Sequence, residues 1–242
     1  MSKVQTKTFT DSALSDQVKQ FLIRFKDKSG NYKYVDAIDE MMPKNAKYIV
    51  VDYNDLIYEP EIVSLFSENP DRVFDAFSRA IKEALQTRFP DYAAKIADEV
   101  RVRLVNYPLQ RSLRQINAEI IGTITSVSGM VVIASEVKPL AKELIFSCPD
   151  NHIIKVIQLQ GMDANMPVVC SSPDCKHRDF ELKPEASKFI DFQLLRLQEL
   201  PEDLPPGQLP HYIDVTLRQD LVDNARPGDR IILTGVVRIE QE

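Results

Sequence analysis

The sequence predicts an α+β chain, with a helical part over residues 1–105 and then a small β-barrel interrupted by a β insertion that carries Cys and His. Three observations predict it. In the first part apolar residues recur at i, i+3, i+4 and i+7, the period of a helix with one buried face. From about Arg101 the period falls to two: Val100, Val102 and Leu104 alternate with Arg101 and Arg103. The three cysteines, Cys148, Cys170 and Cys175, fall together, with β-rich sequence on both sides.

Each element has its own signal. Ser12 or Ser15 is placed to cap a first helix whose stripe is Val18, Phe21, Leu22 and Phe25, and Ser29-Gly30-Asn31 ends it. Lys47–Tyr53 is β-branched and reads as a strand or a buried extended piece. Pro60 opens a short helix with Ile62, Val63, Leu65 and Phe66. Asn69-Pro70 is a stronger start, because Asn caps and Pro pre-sets the first helical position. Val73, Phe74, Phe77, Ile81, Ala84 and Leu85 then form one stripe, expected to be core, which Phe89-Pro90 closes. Arg111–Arg114 is a small basic cluster ahead of β-rich Glu119–Ser135, in which Gly122 and Gly129 mark bends or bulges. Residues 143–185 read as short strands bearing the Cys/His pattern, and Ser187–Leu197, His211–Arg218 and Arg230–Glu240 as further strands, with a Pro-rich loop at Pro201–Pro210. About five short strands with Gly-marked curvature fit an OB-type barrel, and a generic β-sandwich fits nearly as well.

Composition removes several classes. A 44% hydrophobic content over 242 residues supports a real core and excludes a mainly disordered chain. Apolar runs such as Tyr48–Val51 are far short of the roughly 20 residues of a membrane span. The start, MSKVQTKTFTDS, lacks a signal peptide's apolar segment, so a cytoplasmic protein is expected. No G-x-x-x-x-G-K-[ST] or G-x-G-x-x-G phosphate cradle occurs, nor G-x-S-x-G or H-E-x-x-H, so the chain is not expected to be an enzyme. The net charge is −6, with 16 basic against 17 acidic residues up to position 105 and 14 against 19 beyond it.

An odd cysteine count argues against a disulfide framework. Instead Cys148-x3-His152 and Cys170-x4-Cys175 form two close pairs separated by a loop, the arrangement that suits tetrahedral zinc. Pro149, Asp150 and Asn151 in the first pair, and Ser171 to Asp174 in the second, supply turn chemistry. His177 is a rival fourth ligand; His152 is preferred because it completes the first pair. Four protein ligands fill the coordination sphere, so one structural zinc per chain is expected.

These residues occur within a wider pattern. Ile121-Gly122, Val127–Val131, Ser135–Pro139, Leu197–Glu199, Pro206–Pro210, Asp220–Asp223, Ala225–Arg230 and Thr234-Gly235 occur in that order, with the Cys/His pairs inside. In these blocks, and around Asn69–Leu85, the chain resembles the N-terminal region of the minichromosome maintenance (MCM) replicative DNA helicases, archaeal type. The resemblance implies a helical subdomain over 1–105, an OB-fold subdomain over 106–141 and 186–242, and a zinc-binding subdomain over 142–185. It implies rings of six copies around single- or double-stranded DNA, with double hexamers or filaments as further assemblies. It implies an ATP-driven AAA+ motor following this region, and a nucleoid-associated location. It places the loop that touches the motor at Leu197–Pro210, with Gln198, Glu199, Pro206 and Gly207 at the matching positions. A basic hairpin tip and the last barrel strand would lie beyond Glu242. Thr123, Met130–Ile133 and His211 stand where the family tends to carry basic residues, so DNA binding by this chain alone is expected to be weak.

Phosphate contacts need Lys or Arg on one face. The candidates are Arg111, Arg114, Lys138, Lys142, Arg218 and Arg238, with Arg111 and Arg114 preferred because they lead into the barrel. Arg226 and Arg230 are as well placed to hold their own turn against Asp220 or Asp223. Phe189 and Phe192 are expected in the core, which leaves few stacking faces and predicts backbone tracking without sequence readout.

Overall fold

A computed structural model describes residues 11–96, 99–157, 167–172 and 175–239. Pro173 and Asp174 of the second Cys pair, and Glu240 of the last expected strand, lie outside the described residues. The helices are α1 (Asp11–Arg24), α2 (Lys33–Asp39), α3 (Pro60–Glu68), α4 (Pro70–Arg88) and α5 (Pro90–Ile96). The strands are β1 (Tyr48–Asp52), β2 (Arg101–Val105), β3 (Gln110–Arg111), β4 (Ile124–Ala134), β5 (Lys138–Ser147), β6 (Ile153–Ile157), β7 (Glu181–Leu182), β8 (Lys188–Gln198), β9 (Tyr212–Arg218) and β10 (Arg230–Val236). The α+β expectation therefore holds, and among the described residues the α-helices all fall in the first part. Among the described residues no helix is long and apolar enough to cross a membrane. The chain divides into two compact units, Met1–Arg111 with Gln115–Val127 and Leu233–Arg238, and Ser112–Arg114 with Ser128–Ile232 and Ile239–Glu242.

The first unit is built around α4. Asn69 caps it: its side-chain oxygen accepts the Arg72 N–H at 3.3 Å, and Pro70 takes the first turn, where a missing N–H costs nothing. Val73, Phe77, Ile81 and Leu85 are fully buried on one face, against Leu14, Val18 and Leu22 of α1 and Ile62 and Phe66 of α3. Phe74 and Ala84 from the same stripe are only partly buried. Phe25 falls one residue past the end of α1 and is also only partly buried. Two helices were not expected. α2 has Tyr32 at its N-cap position with no side-chain cap, and α5 follows α4 after a single residue, so each hides behind a turn signal. The alternating run at Arg101 is a strand with a local partner: β2 pairs in parallel with β1, Tyr48 opposite Arg101 and Asp52 opposite Val105. Ile124 and Val236 also pack against this core; the Gly122 N–H donates to the Val237 carbonyl at 2.8 Å and the Val237 N–H to the Thr123 carbonyl at 3.0 Å.

In the second unit β8 is the hub. It pairs antiparallel with β9 along Phe192–Gln198, with β4 near its end and with β5 near its start. Gly129 marks the closest approach. A Cβ there would lie 3.0 Å from the Gln198 carbonyl oxygen and 3.3 Å from the Leu197 Cβ, so no other residue fits without moving backbone. The pairing of β4 with β8 shifts between Val131 and Ile133, a bulge just past this glycine. Phe192 points inward and is buried, but Phe189 is 46% exposed. The expectation of two core phenylalanines is thus corrected: three residues apart on a strand, they face opposite sides. β5 continues into a hairpin with β6, with Ser147 opposite Ile153, and β7 pairs beside it.

Candidate metal centre and nucleic-acid interface

The turn between β5 and β6 carries the first Cys/His pair. The Cys148 N–H donates to the His152 carbonyl at 3.1 Å and the Asn151 N–H to the Cys148 carbonyl at 2.9 Å. Asn151 adopts a left-handed backbone, φ 59°, which Asn tolerates better than most residues. On the second pair, the Cys175 N–H reaches the Ser172 carbonyl at 3.1 Å. The fold brings both pairs together: one ligand atom each from Cys148, His152, Cys170 and Cys175 lies within 4.8 Å of all the others. The Cys148 and Cys175 sulfurs are 3.9 Å apart, and the Cys148 sulfur is 3.4 Å from His152 Nδ1. A disulfide is excluded by that separation. A four-coordinate ion at ordinary thiolate and imidazole distances has edges of about 3.5–3.8 Å, so the donor set fits a divalent metal.

Burial and charge agree with that fit. The three cysteines are buried with Leu144, Phe146 and Ile154 in a small satellite core, while His152 is exposed. Burial opposes ionisation of Cys148, but backbone N–H groups of His152 and Asp150 and the side chains of Cys175 and His152 outweigh it, so this thiol ionises more readily than usual. Cys175 receives the His177 N–H, yet burial and the neighbouring Cys170 and Cys148 push it up to about 11. Ionising all three thiols together would need a dication among them. His177 falls in a second group: its Nε2 lies 3.2 Å from Asp150 Oδ2, which is 3.6 Å from the Cys175 sulfur.

The basic candidates separate. Lys138 and Arg218 come together, because both are paired with Phe192 on β8; the three form one row across β5, β8 and β9. Both are exposed, and Lys138 forms no ion pair among the described residues. Lys142 is half-buried on β5. Arg111 sits on β3 opposite Val127, with its Nε buried and unpartnered among the described residues. Arg238 is bound to the carboxylate of Asp71, at the start of α4. Arg230 holds Glu202 at 2.7 Å rather than Asp220 or Asp223.

Arg114 is committed to the Pro-rich loop. Its Nε donates to both carboxylate oxygens of Glu199, at 2.7 and 3.0 Å, and its two terminal nitrogens donate to the Gln208 side chain and the Leu209 carbonyl. Glu199 is 3% exposed, and it also accepts the His211 N–H at 3.3 Å. Gln198 closes β8 between Met130 and Tyr212. Pro205 to Gln208 makes a turn in which Gly207 takes φ 76° and the Gln208 N–H reaches the Pro205 carbonyl at 3.2 Å, with Pro206 before the glycine. Sequence reasoning had no signal for the Arg114 contacts, which span 85 to 95 residues. It also missed Gln193, buried at 4% exposure, which donates to the Ser135 carbonyl and accepts the Asp223 N–H.

The hydrogen bonds from Arg114 hold the Glu199 carboxyl below the usual carboxylate range; burial opposes this, and the His211 N–H assists. A depressed carboxyl stabilises fully above its unfolded value of about 4.3 and loses that contribution as pH falls through the folded value. Acidification through the lowered value of Glu199 is therefore expected to release the loop. Hydrogen exchange at the Glu199 and His211 amides should speed up there, and Arg114→Ala should bring the same exchange at neutral pH. Unchanged exchange in the variant would show that the clamp does not hold the loop.

The described chain is thus a helical unit and a unit of mainly antiparallel strands that carries a Cys/His cluster. Residues 112–241 match the MCM OB domain model and residues 15–106 the MCM N-terminal domain model. The chain belongs to the minichromosome maintenance family, and the OB match decides between barrel and sandwich. It is 31% identical to the minichromosome maintenance protein MCM of Saccharolobus solfataricus, over 92% of this chain and 33% of that protein. It is 30% identical to the DNA replication licensing factor MCM4 of Drosophila melanogaster, over 94% of this chain and 27% of that protein. Identity to the maternal DNA replication licensing factor mcm6 of Xenopus tropicalis is 29%, over 93% and 28%. Archaeal and eukaryotic members thus match alike, and the chain spans about a third or less of their length. What it matches are the non-catalytic N-terminal domains of a replicative helicase family.

Proposed function

We propose that this chain is the DNA-binding and oligomerisation module of a ring-shaped replicative helicase of the archaeal type, working with a C-terminal AAA+ motor inside the cell. The observation that carries the reading is the pair of family matches, in order, over nearly the whole chain. In this reading residues 1–105 form the helical subdomain, 106–141 with 186–242 the OB subdomain, and 142–185 the zinc subdomain. Cys148, His152, Cys170 and Cys175 hold one structural zinc, which ties the two turns together. Lys138 and Arg218 contact DNA phosphates, with Lys142 and Arg111 as further contacts. Arg238 and Arg114 contribute only if they leave Asp71 and Glu199. The loop bearing Gln198, Glu199, Pro206 and Gly207 couples the barrel to the motor, and Arg114 fixes its position.

The Lys138 and Arg218 row gives the test. Binding of the chain to single-stranded and duplex oligonucleotides should be weak and strongly salt-dependent, since counterion release drives it. Lys138→Ala with Arg218→Ala should lower affinity for all sequences alike and reduce the salt slope by about two. Light scattering with and without DNA reads the assembly: a hexamer, double hexamer or filament supports the reading. Assembly without any DNA binding at low salt would favour the second reading, a zinc-containing OB scaffold for protein–protein contacts.

A further inference from the structure

The first unit carries a cleft of about 810 Å³ that the reading above leaves unused. It lies between the end of α1 and the 3-10 turn Tyr53–Tyr58. Phe25 contributes apolar wall, and Tyr58 stands at the edge with 81% of its surface exposed. Arg24, Lys26 and Lys28 follow one another at alternate positions along the lining. Arg24 and Lys28 form no ion pair among the described residues, and Lys26 is held over the Tyr32 ring at 4.6 Å. Asp55 and Asp27, two of the three carboxylates in the lining, are already engaged. Asp55 accepts from Lys33 Nζ at 2.6 Å and from the Tyr34 hydroxyl at 2.7 Å, and Asp27 caps its own loop through the Ser29 and Asn31 N–H groups.

We propose that this cleft docks an acidic peptide segment of a partner protein. Its carboxylates meet Arg24, Lys26 and Lys28, and an apolar side chain packs on Tyr58 and Phe25. Charge complementarity selects a peptide over a nucleic acid. A DNA strand brings a phosphate at every nucleotide past Asp27, Asp55 and Glu59, whereas a peptide places carboxylates only opposite the cations.

The test is fluorescence anisotropy on the 242-residue chain. The probe is a dye-labelled pool of dodecapeptides in which Asp or Glu alternates with Leu, Phe or Tyr. The controls are the same pool with Lys for the acids, and oligo-dT. The acidic pool is expected to bind with salt-sensitive, micromolar affinity. Arg24→Glu with Lys28→Glu should weaken it at least about tenfold, and Tyr58→Ala by several-fold. All three side chains are exposed, so thermal melts of the variants should match the parent. No binding of the acidic pool, equal binding of the Lys pool, or indifference to the charge reversals overturns the proposal. Oligo-dT binding lost in the same charge-reversed variant overturns it in favour of a nucleic-acid site.

Discussion

Cys170→Ser is expected to reduce bound zinc from about one per chain to a small fraction, with loss of order around the β5–β6 hairpin. The reason is the size of the satellite core. Among the described residues its buried members are Leu144, Phe146, Ile154 and the three cysteines themselves, too few to hold the two Cys/His turns together without a cross-link. Structural zinc in small finger peptides contributes about 10–16 kcal/mol of apparent binding free energy, which far exceeds what three aliphatic or aromatic side chains provide there. The measurements are metal analysis and limited proteolysis, with a chelator-treated parent as the second arm. A metal-free chain that resists protease as the loaded one does would remove the structural role.

Phe77→Ala should destabilise the first unit by about 3–5 kcal/mol, the usual cost of deleting a buried phenylalanine and leaving its cavity. Phe77 has no exposed surface, and it meets Phe21 edge-on at 6.3 Å and Phe66 at 6.4 Å. Losing it strips contacts from α1, α3 and α4 at once. Urea unfolding followed by far-UV circular dichroism reads the loss, because the helices lie in this unit. Zinc content measured on the same sample should stay at the parent level. A shift below about 1 kcal/mol would mean that the three-helix packing is loose.

What could be read in the chain depended on how local the determinant was. α4 was legible from one end to the other, because Asn69, Pro70 and Phe89-Pro90 mark its limits and its buried face repeats within one segment. α2 was not, because Tyr32 offers no capping side chain and the helix is seven residues long. The grouping of Cys148, His152, Cys170 and Cys175 was legible because ligand spacing and turn residues are both short-range. The parallel pairing of β1 with β2 was hidden, since three helices intervene. Arg114 illustrates the same limit at the candidate site. As a basic residue beside Arg111 it reads as a phosphate contact, and only the fold brings the buried Glu199 against it.

The position of β8 bears on how the chain reaches this structure. Ala141 on β5 pairs with Phe189 on β8, so the strand closes only after the whole Cys/His segment has been looped out. Such distant pairings are slow, because chain entropy is lost before any contact compensates it. A metal that joins Cys148 to Cys175 shortens the free loop between the two strands. An ion bound early, as the proposed zinc site implies, would lower the entropy lost in closing β5 onto β8. Refolding followed by stopped-flow fluorescence should therefore gain rate, and not only amplitude, when zinc is added at the start.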